Sequence, residues 1–225
     1  MHLTDEEKAM RDGRDGPAIA RAMDLLLRYG RALGAENFVE TRNVCGAAAS
    51  SSGGVELFHL IGVTPEAPTL DVATGGRKLQ DLRHYGAAER AATFERINAT
   101  GVDRKVDYVM LGCPHDTIEQ IWEAAQLLEG RHLHADCQLW IFTPWAIKAL
   151  ADRNGYTRII EAAGAKIMTD SCSAMSRAVP PGTQVVVLDS AKQAHCLPAI
   201  LGVQAWFGST AQCVEAACTG QWRAA

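Results

Sequence analysis

The chain has 225 residues, 48% of them apolar, and a formal net charge of -4 at pH 7. That is enough apolar material for one large or two small globular domains. With no basic block, acidic tail or membrane-length apolar run, the composition argues against nucleic acid and membrane as main partners. The first residues, Met1-His-Leu-Thr-Asp-Glu-Glu-Lys8, place acids where a secretory signal is basic and then apolar, so a cytoplasmic protein is expected. The cysteines (Cys45, Cys113, Cys137, Cys172, Cys196, Cys213 and Cys218) are odd in number and scattered, with no C-x-x-C pair. They describe neither a disulfide framework nor a zinc ribbon.

Residues 4–34 read as helical, opening on a capping-box pattern from Thr4 to Glu7 and broken around Gly13, Gly16 and Pro17. Residues 38–44 read as a short strand. Residues 47–54, Ala-Ala-Ala-Ser-Ser-Ser-Gly-Gly, read as a flexible link or as a close-packed helix end. A strand-like run over 55–63 ends in the polar turn Thr64-Pro-Glu-Ala67. His59 lies inside that run, as a core histidine or a site residue. Glu66 lies just past it, as a solvated loop acid or a site residue. Residues 79–98 read as helix, in one or two pieces around Gly86.

The most informative stretch is 106–125. Tyr108, Val109, Met110 and Leu111 form a run suited to a strand buried on both faces, and Gly112 and Pro114 break it. Ile118, Ile121, Trp122 and Ala125 then recur at helical spacing, with Asp116 or Thr117 as N-cap. Cys113 and His115 therefore fall where a buried strand meets a helix N-terminus, a place that binds ligands in open α/β sheets and favours thiolate over thiol. The alternative is an inert buried cysteine beside a surface histidine. Further strands are expected at 139–142, 165–169 and 184–188. Helices are expected after Pro144, over 156–163 and over 211–217.

This alternation gives an α/β layer with a mainly parallel sheet. Three strands end in reactive polar sets: Gly112-Cys-Pro-His115, Asp170-Ser-Cys172 and Asp189-Ser-Ala-Lys192. Strands running the same way gather all three at one sheet edge. Ser190 reads as a helix N-cap, a base or a carboxylate-binding hydroxyl. Lys192 reads as an anion-binding or a surface lysine. No dinucleotide or phosphate-loop fingerprint and no Gly-x-Ser-x-Gly elbow occurs. A Cys113–His115 nucleophile pair remains a third, weaker reading.

Taken together and in order, several motifs resemble the aconitase X family of iron-dependent hydro-lyases, at the level of its large catalytic subunit. They are Leu3-Thr-Asp-Glu-Glu7, the segment from Ala49-Ser-Ser-Ser-Gly-Gly54 through Phe58-His-Leu60 to Thr64-Pro-Glu-Ala67, Gly112-Cys-Pro-His115, Thr169-Asp-Ser-Cys172, Asp189-Ser-Ala-Lys-Gln-Ala-His195 and Phe207-Gly-Ser-Thr-Ala-Gln-Cys213. The resemblance implies an aconitase-like layered α/β fold and loss of water from a small hydroxy acid. The expected activity is that of a cis-3-hydroxy-L-proline dehydratase, with a mevalonate 5-phosphate dehydratase large subunit as the alternative. It implies iron or an iron–sulfur cluster with Cys113 and Cys172 as ligands. Ser190, Lys192 and His115 would be catalytic. His59, Thr64, Glu66 and Lys192 would contact substrate.

The family pattern also has a central region between its first helices and the Ser-Ser-Gly-Gly segment. That region carries a third cysteine in Thr-Cys-x-Pro-Tyr and an Asn-Arg-Glu substrate motif, and neither has a counterpart here. The chain therefore reads as a shortened member, with an N-terminal helical segment over 1–45 and an aconitase X-like domain over 46–225. Cys45 is a candidate third ligand near the junction. A separate small swivelling-domain subunit is the expected partner. The competing expectation is a truncated non-catalytic remnant acting at most as a binding module.

Overall fold

The computed structural model describes residues 38–55, 58–82 and 86–223, with side chains from Gly46 onward. The helices expected over 4–34 lie outside the described residues. The chain divides into two compact units, 1–90 and 91–225. Among the described residues no helix is long and apolar enough to cross a membrane.

In the first unit, residues 38–44 are helical rather than extended. They begin α1 (Phe38–Gly53), which continues through the small-residue segment. The reason lies in that continuation. Ala48 and Ala49 are buried, and Ser51 and Ser52 return their hydroxyls to the carbonyls of Ala47 and Ala48, each at 2.8 Å. Serines that suggest a linker thus satisfy themselves inside a helix. The run 55–63 is likewise not a strand among its described residues. Gly62 has φ +77°, and the Leu60 and Gly62 N–H groups are taken by Thr64 Oγ1 and the Ala67 carbonyl, each at 2.9 Å. A closed turn therefore uses the donors that a sheet ladder needs. A short α2 (Leu70–Thr74) follows, capped by Thr69. Helix α3 (Ala87–Ile97) spans the division between the units, and the described residues 79–82 before it are not helical.

The second unit is a five-stranded parallel sheet of order β3-β2-β1-β4-β5. Its strands are β1 (Tyr108–Leu111), β2 (Gln138–Thr143), β3 (Lys166–Thr169), β4 (Val185–Leu188) and β5 (Gln204–Phe207). Helix α4 (Ile118–Leu128) follows β1, and α5 (Trp145–Asn154) and α6 (Tyr156–Ala162) follow β2. Then come α7 (Ser173–Ser176), α8 (Ala191–Leu201) and α9 (Thr210–Thr219) after β3, β4 and β5. The fold is α/β with a parallel sheet, as the alternating pattern predicts.

Strand β5 was not legible as a strand, because it is four residues long and only half-buried at Gln204, Trp206 and Phe207. It pairs in parallel with β4 from Val185↔Gln204 to Leu188↔Phe207. Its other edge is covered by side chains. Asn98 Oδ1 accepts from Phe207 N at 2.7 Å and Thr100 Oγ1 from Ala205 N at 3.2 Å. Gln204 and Trp206 reach back to the backbone of Val102 and Asp103.

Successive strand residues face opposite sides of the sheet, which makes two cores. Val109, Leu111, Leu139, Ile141 and Val187 pack with Ile121, Ala125 and Leu128 of α4, Ile160 of α6 and Val214 and Ala217 of α9. Tyr108, Met110, Phe142, Val186 and Leu188 pack with Ala194 and Leu197 of α8. Full burial of β1 and β4 on both sides explains their unbroken apolar sequences. The strand order reverses between β1 and β4, which places a switch point at their carboxyl ends.

Candidate functional site

Each strand delivers its polar set to the same edge. After β1 the chain turns at Gly112, which has φ +91°. A Cβ there would collide with the backbone of Phe142 at the end of β2. The turn is laced to β2 on both sides: Asp116 N donates to the Phe142 carbonyl at 2.9 Å, and Thr143 Oγ1 donates to the Asp116 carbonyl at 2.7 Å. Thr117 then caps α4 in a full capping box with Gln120. This clamps the short segment that carries Cys113, Pro114 and His115.

After β3, Asp170 adopts a left-handed conformation, φ +51°. Its Oδ1 accepts from Trp145 N at 3.1 Å, which ties this turn to the start of α5. Cys172 stands at the N-cap position of α7, and the next residue, Ser173, is fully buried and hydrogen-bonded to the Tyr108 hydroxyl at 2.9 Å. His115 joins the two cysteine-bearing turns directly. Its Nε2 lies 2.7 Å from the Ser171 carbonyl oxygen. A carbonyl only accepts, so Nε2 is the donor, and in the neutral imidazole Nδ1 then keeps the lone pair.

After β4, Ser190 caps α8, its Oγ accepting from Gln193 N at 3.3 Å. Gln193 is 1% exposed. Its Nε2 lies 2.8 Å from Cys113 Sγ and 3.5 Å from Cys172 Sγ. Two cysteines far apart in the chain thus share one amide donor at the switch point. The sequence motif contained Gln193, but its chemistry was not evident there.

The two sulfurs are not equivalent. Cys172 is held below the usual thiol range, first by the hydrogen bond from Cys113, with the N–H groups of Met175 and Ala174 and the Gln193 amide adding to it. Cys113 is pushed up, first by holding the proton it donates to Cys172 and then by burial. The Lys192 charge acts on Cys113 in the opposite direction, so the half-buried lysine is within electrostatic reach of the pair. The other described cysteines are all pushed up, mainly by burial: Cys137, to about 12, and Cys196, Cys213 and Cys218.

His59, Thr64 and Glu66 belong to the first unit. His59 Nδ1 is buried without a hydrogen-bond partner among the described residues. Thr64 is buried with its hydroxyl accepting from Leu60 N, and Glu66 is exposed.

Two convergent thiols, one biased to thiolate, suit a thiolate-bound centre such as an iron–sulfur cluster. They fit as two of its ligands. Among the described residues no group of three His, Cys, Asp or Glu side chains completes a metal set. Cys45 lies in α1, at a position whose side chain is not described.

The fold is an α/β domain that brings a cysteine pair together at the switch point of a parallel sheet. Residues 106–219 match the family model for the aconitase X third domain. The holo-form crystal structure of Thermococcus kodakaraensis aconitase X superposes with a TM-score of 0.66 at 25% identity, covering 89% of this chain and 51% of that one. The cis-3-hydroxy-L-proline dehydratase of Pseudomonas aeruginosa is 36% identical over 178 residues, 78% of this chain and 30% of that protein. The phosphomevalonate dehydratase large subunit of Methanocaldococcus jannaschii is 36% identical over 163 residues, 72% and 39% of the two chains. The chain belongs to the aconitase X family, and it spans 30–39% of the length of these two relatives.

Proposed function

We propose that the chain contributes the cysteine-bearing domain of a hydro-lyase that removes water from a small hydroxy acid. The observation that carries this reading is the sharing of Gln193 Nε2 by Cys113 and Cys172 at the switch point. Cys113 and Cys172 would hold iron or an iron–sulfur centre, which when bound supplies a Lewis acid that eases departure of a hydroxyl. Lys192, close enough to act on Cys113, would pair with the substrate carboxylate. Ser190 Oγ already accepts from the backbone, which leaves its proton for a substrate oxygen. His115, with Nε2–H committed to Ser171, would take a proton at Nδ1. The family resemblance alone suggests His59, Thr64 and Glu66 as substrate contacts.

A dehydratase acting on cis-3-hydroxy-L-proline is favoured over one acting on mevalonate 5-phosphate, because among the described residues Lys192 is the cation that acts on the cysteine pair and a phosphate calls for more. The setting is cytoplasmic, and a separate small swivelling-domain subunit would complete the active site.

The test is iron and acid-labile sulfide per chain after purification without oxygen, followed by water loss from both compounds with and without a small subunit. Stoichiometric iron that disappears in Cys113→Ala, with turnover of either compound, is the expected result. A chain that takes up no iron and turns over neither compound in any combination overturns the proposal and leaves a binding module in its place.

A further inference from the structure

Three strand-to-helix junctions in the second unit carry the same local pattern, a hydroxyl residue followed three places later by glutamine. They are Thr117 to Gln120, Ser190 to Gln193 and Ser209 to Gln212. In a capping box the glutamine reaches back to the N-cap N–H. Gln120 and Gln212 do so, each accepting through Oε1 at 2.9 Å. Gln193 does not. Ser190 still caps through its hydroxyl, but the glutamine turns away, with Nε2 at 2.8 Å from Cys113 Sγ and 3.5 Å from Cys172 Sγ. Its Oε1 is left buried without a partner among the described residues. A local sequence that supports a closed box has given it up, and an acceptor has been left unsatisfied in the interior, at an energetic cost. The donor end facing two sulfurs is the compensation that the geometry offers.

We infer that Gln193 is a positioning residue: its amide holds the Cys113 and Cys172 sulfurs convergent, so that the pair is preformed before any metal arrives. A donor aimed at both sulfurs offsets their mutual repulsion once both are thiolates, and it restricts their rotamers. Outer partners of metal ligands act in this way. This inference rests on the thiol pair being a metal site, as proposed above.

The experiment is a cobalt(II) titration of the full-length, reduced, metal-free chain, followed by the thiolate-to-cobalt charge-transfer absorption. Wild type, Gln193→Leu and Cys113→Ala are compared. Leucine keeps the volume and removes both the donor and the orphaned acceptor, so the fold should persist. Gln193→Leu should bind roughly 10–100-fold more weakly with the charge-transfer band retained, and Cys113→Ala should lose the band. Unchanged affinity in Gln193→Leu, alongside loss in Cys113→Ala, overturns the role of Gln193 and leaves the metal site standing. Unchanged affinity in Cys113→Ala takes both down. Should Gln193→Leu fail to fold, the wild-type protein loaded with ¹¹³Cd decides. A scalar coupling between the metal and the Gln193 side-chain amide proton supports the inference, and its absence refutes it.

Discussion

Cys113 and Cys172 show how two identical side chains come to different chemistry. Cys172 is drawn below the usual thiol range and Cys113 above it, and the difference comes from which neighbours face each sulfur as well as from burial. His115 acts at the same scale. Its Nε2–H to the Ser171 carbonyl is the direct bond between the two cysteine turns. His115→Ala should therefore lower stability by about 1 kcal/mol, the value of one part-buried hydrogen bond, and also weaken cobalt(II) binding. Urea unfolding and the same titration check this, and a variant that loses stability but binds cobalt as before would show that the histidine is only a brace. The strand-end residues Cys113, Cys172, Ser190 and Lys192 were legible because Gly, Pro and Asp mark where strands stop. Gln193 was not, because Ser-x-x-Gln is the local pattern of a cap, and only the distant sulfurs turn its side chain away.

Between elements, the close approach of the β1 turn to β2 matters most. Gly112 sits at φ +91° with the Phe142 backbone where a Cβ would be. Gly112→Ala adds an unfavourable φ and a backbone overlap, together about 3 kcal/mol. A thermal unfolding midpoint unchanged from wild type would contradict this account. The strands with both faces buried could be read from sequence because unbroken Val, Leu and Met runs leave no other fate. Sequence and structure part where a local pattern loses to its continuation. Residues 38–44 resembled a strand until the Ala-Ser segment carried them into α1, and 55–63 resembled one until Thr64 and Gly62 closed a turn. Strand β5 is not legible in the sequence because an edge strand of four residues, three of them half-buried, has no clear alternation to display.

For the molecule as a whole, Asp189 links stability to pH on the acid side of neutrality. Burial pushes its carboxyl up from 3.8 to about 6, against the Thr210 hydroxyl at 3.0 Å, which pulls it down. The unfolded chain releases this proton near pH 4, and the folded chain keeps it to about pH 6. The contribution to stability is therefore present below about pH 4 and lost as the pH rises through about 6. Asp189→Asn, neutral throughout, should gain on wild type in chemical unfolding between pH 4 and pH 7. A difference that stays constant across that range would refute this assignment.

The side chains laid along β5 have a further consequence. A growing fibril adds strands at both ends of a sheet, and each new copy must offer one open edge while receiving on the other. Here the outward N–H groups of Ala205 and Phe207 are already answered by Thr100 and Asn98. Copies meeting at this end find no ladder to extend, so head-to-tail polymerisation through the sheet is blocked in the folded molecule, whatever happens at β3.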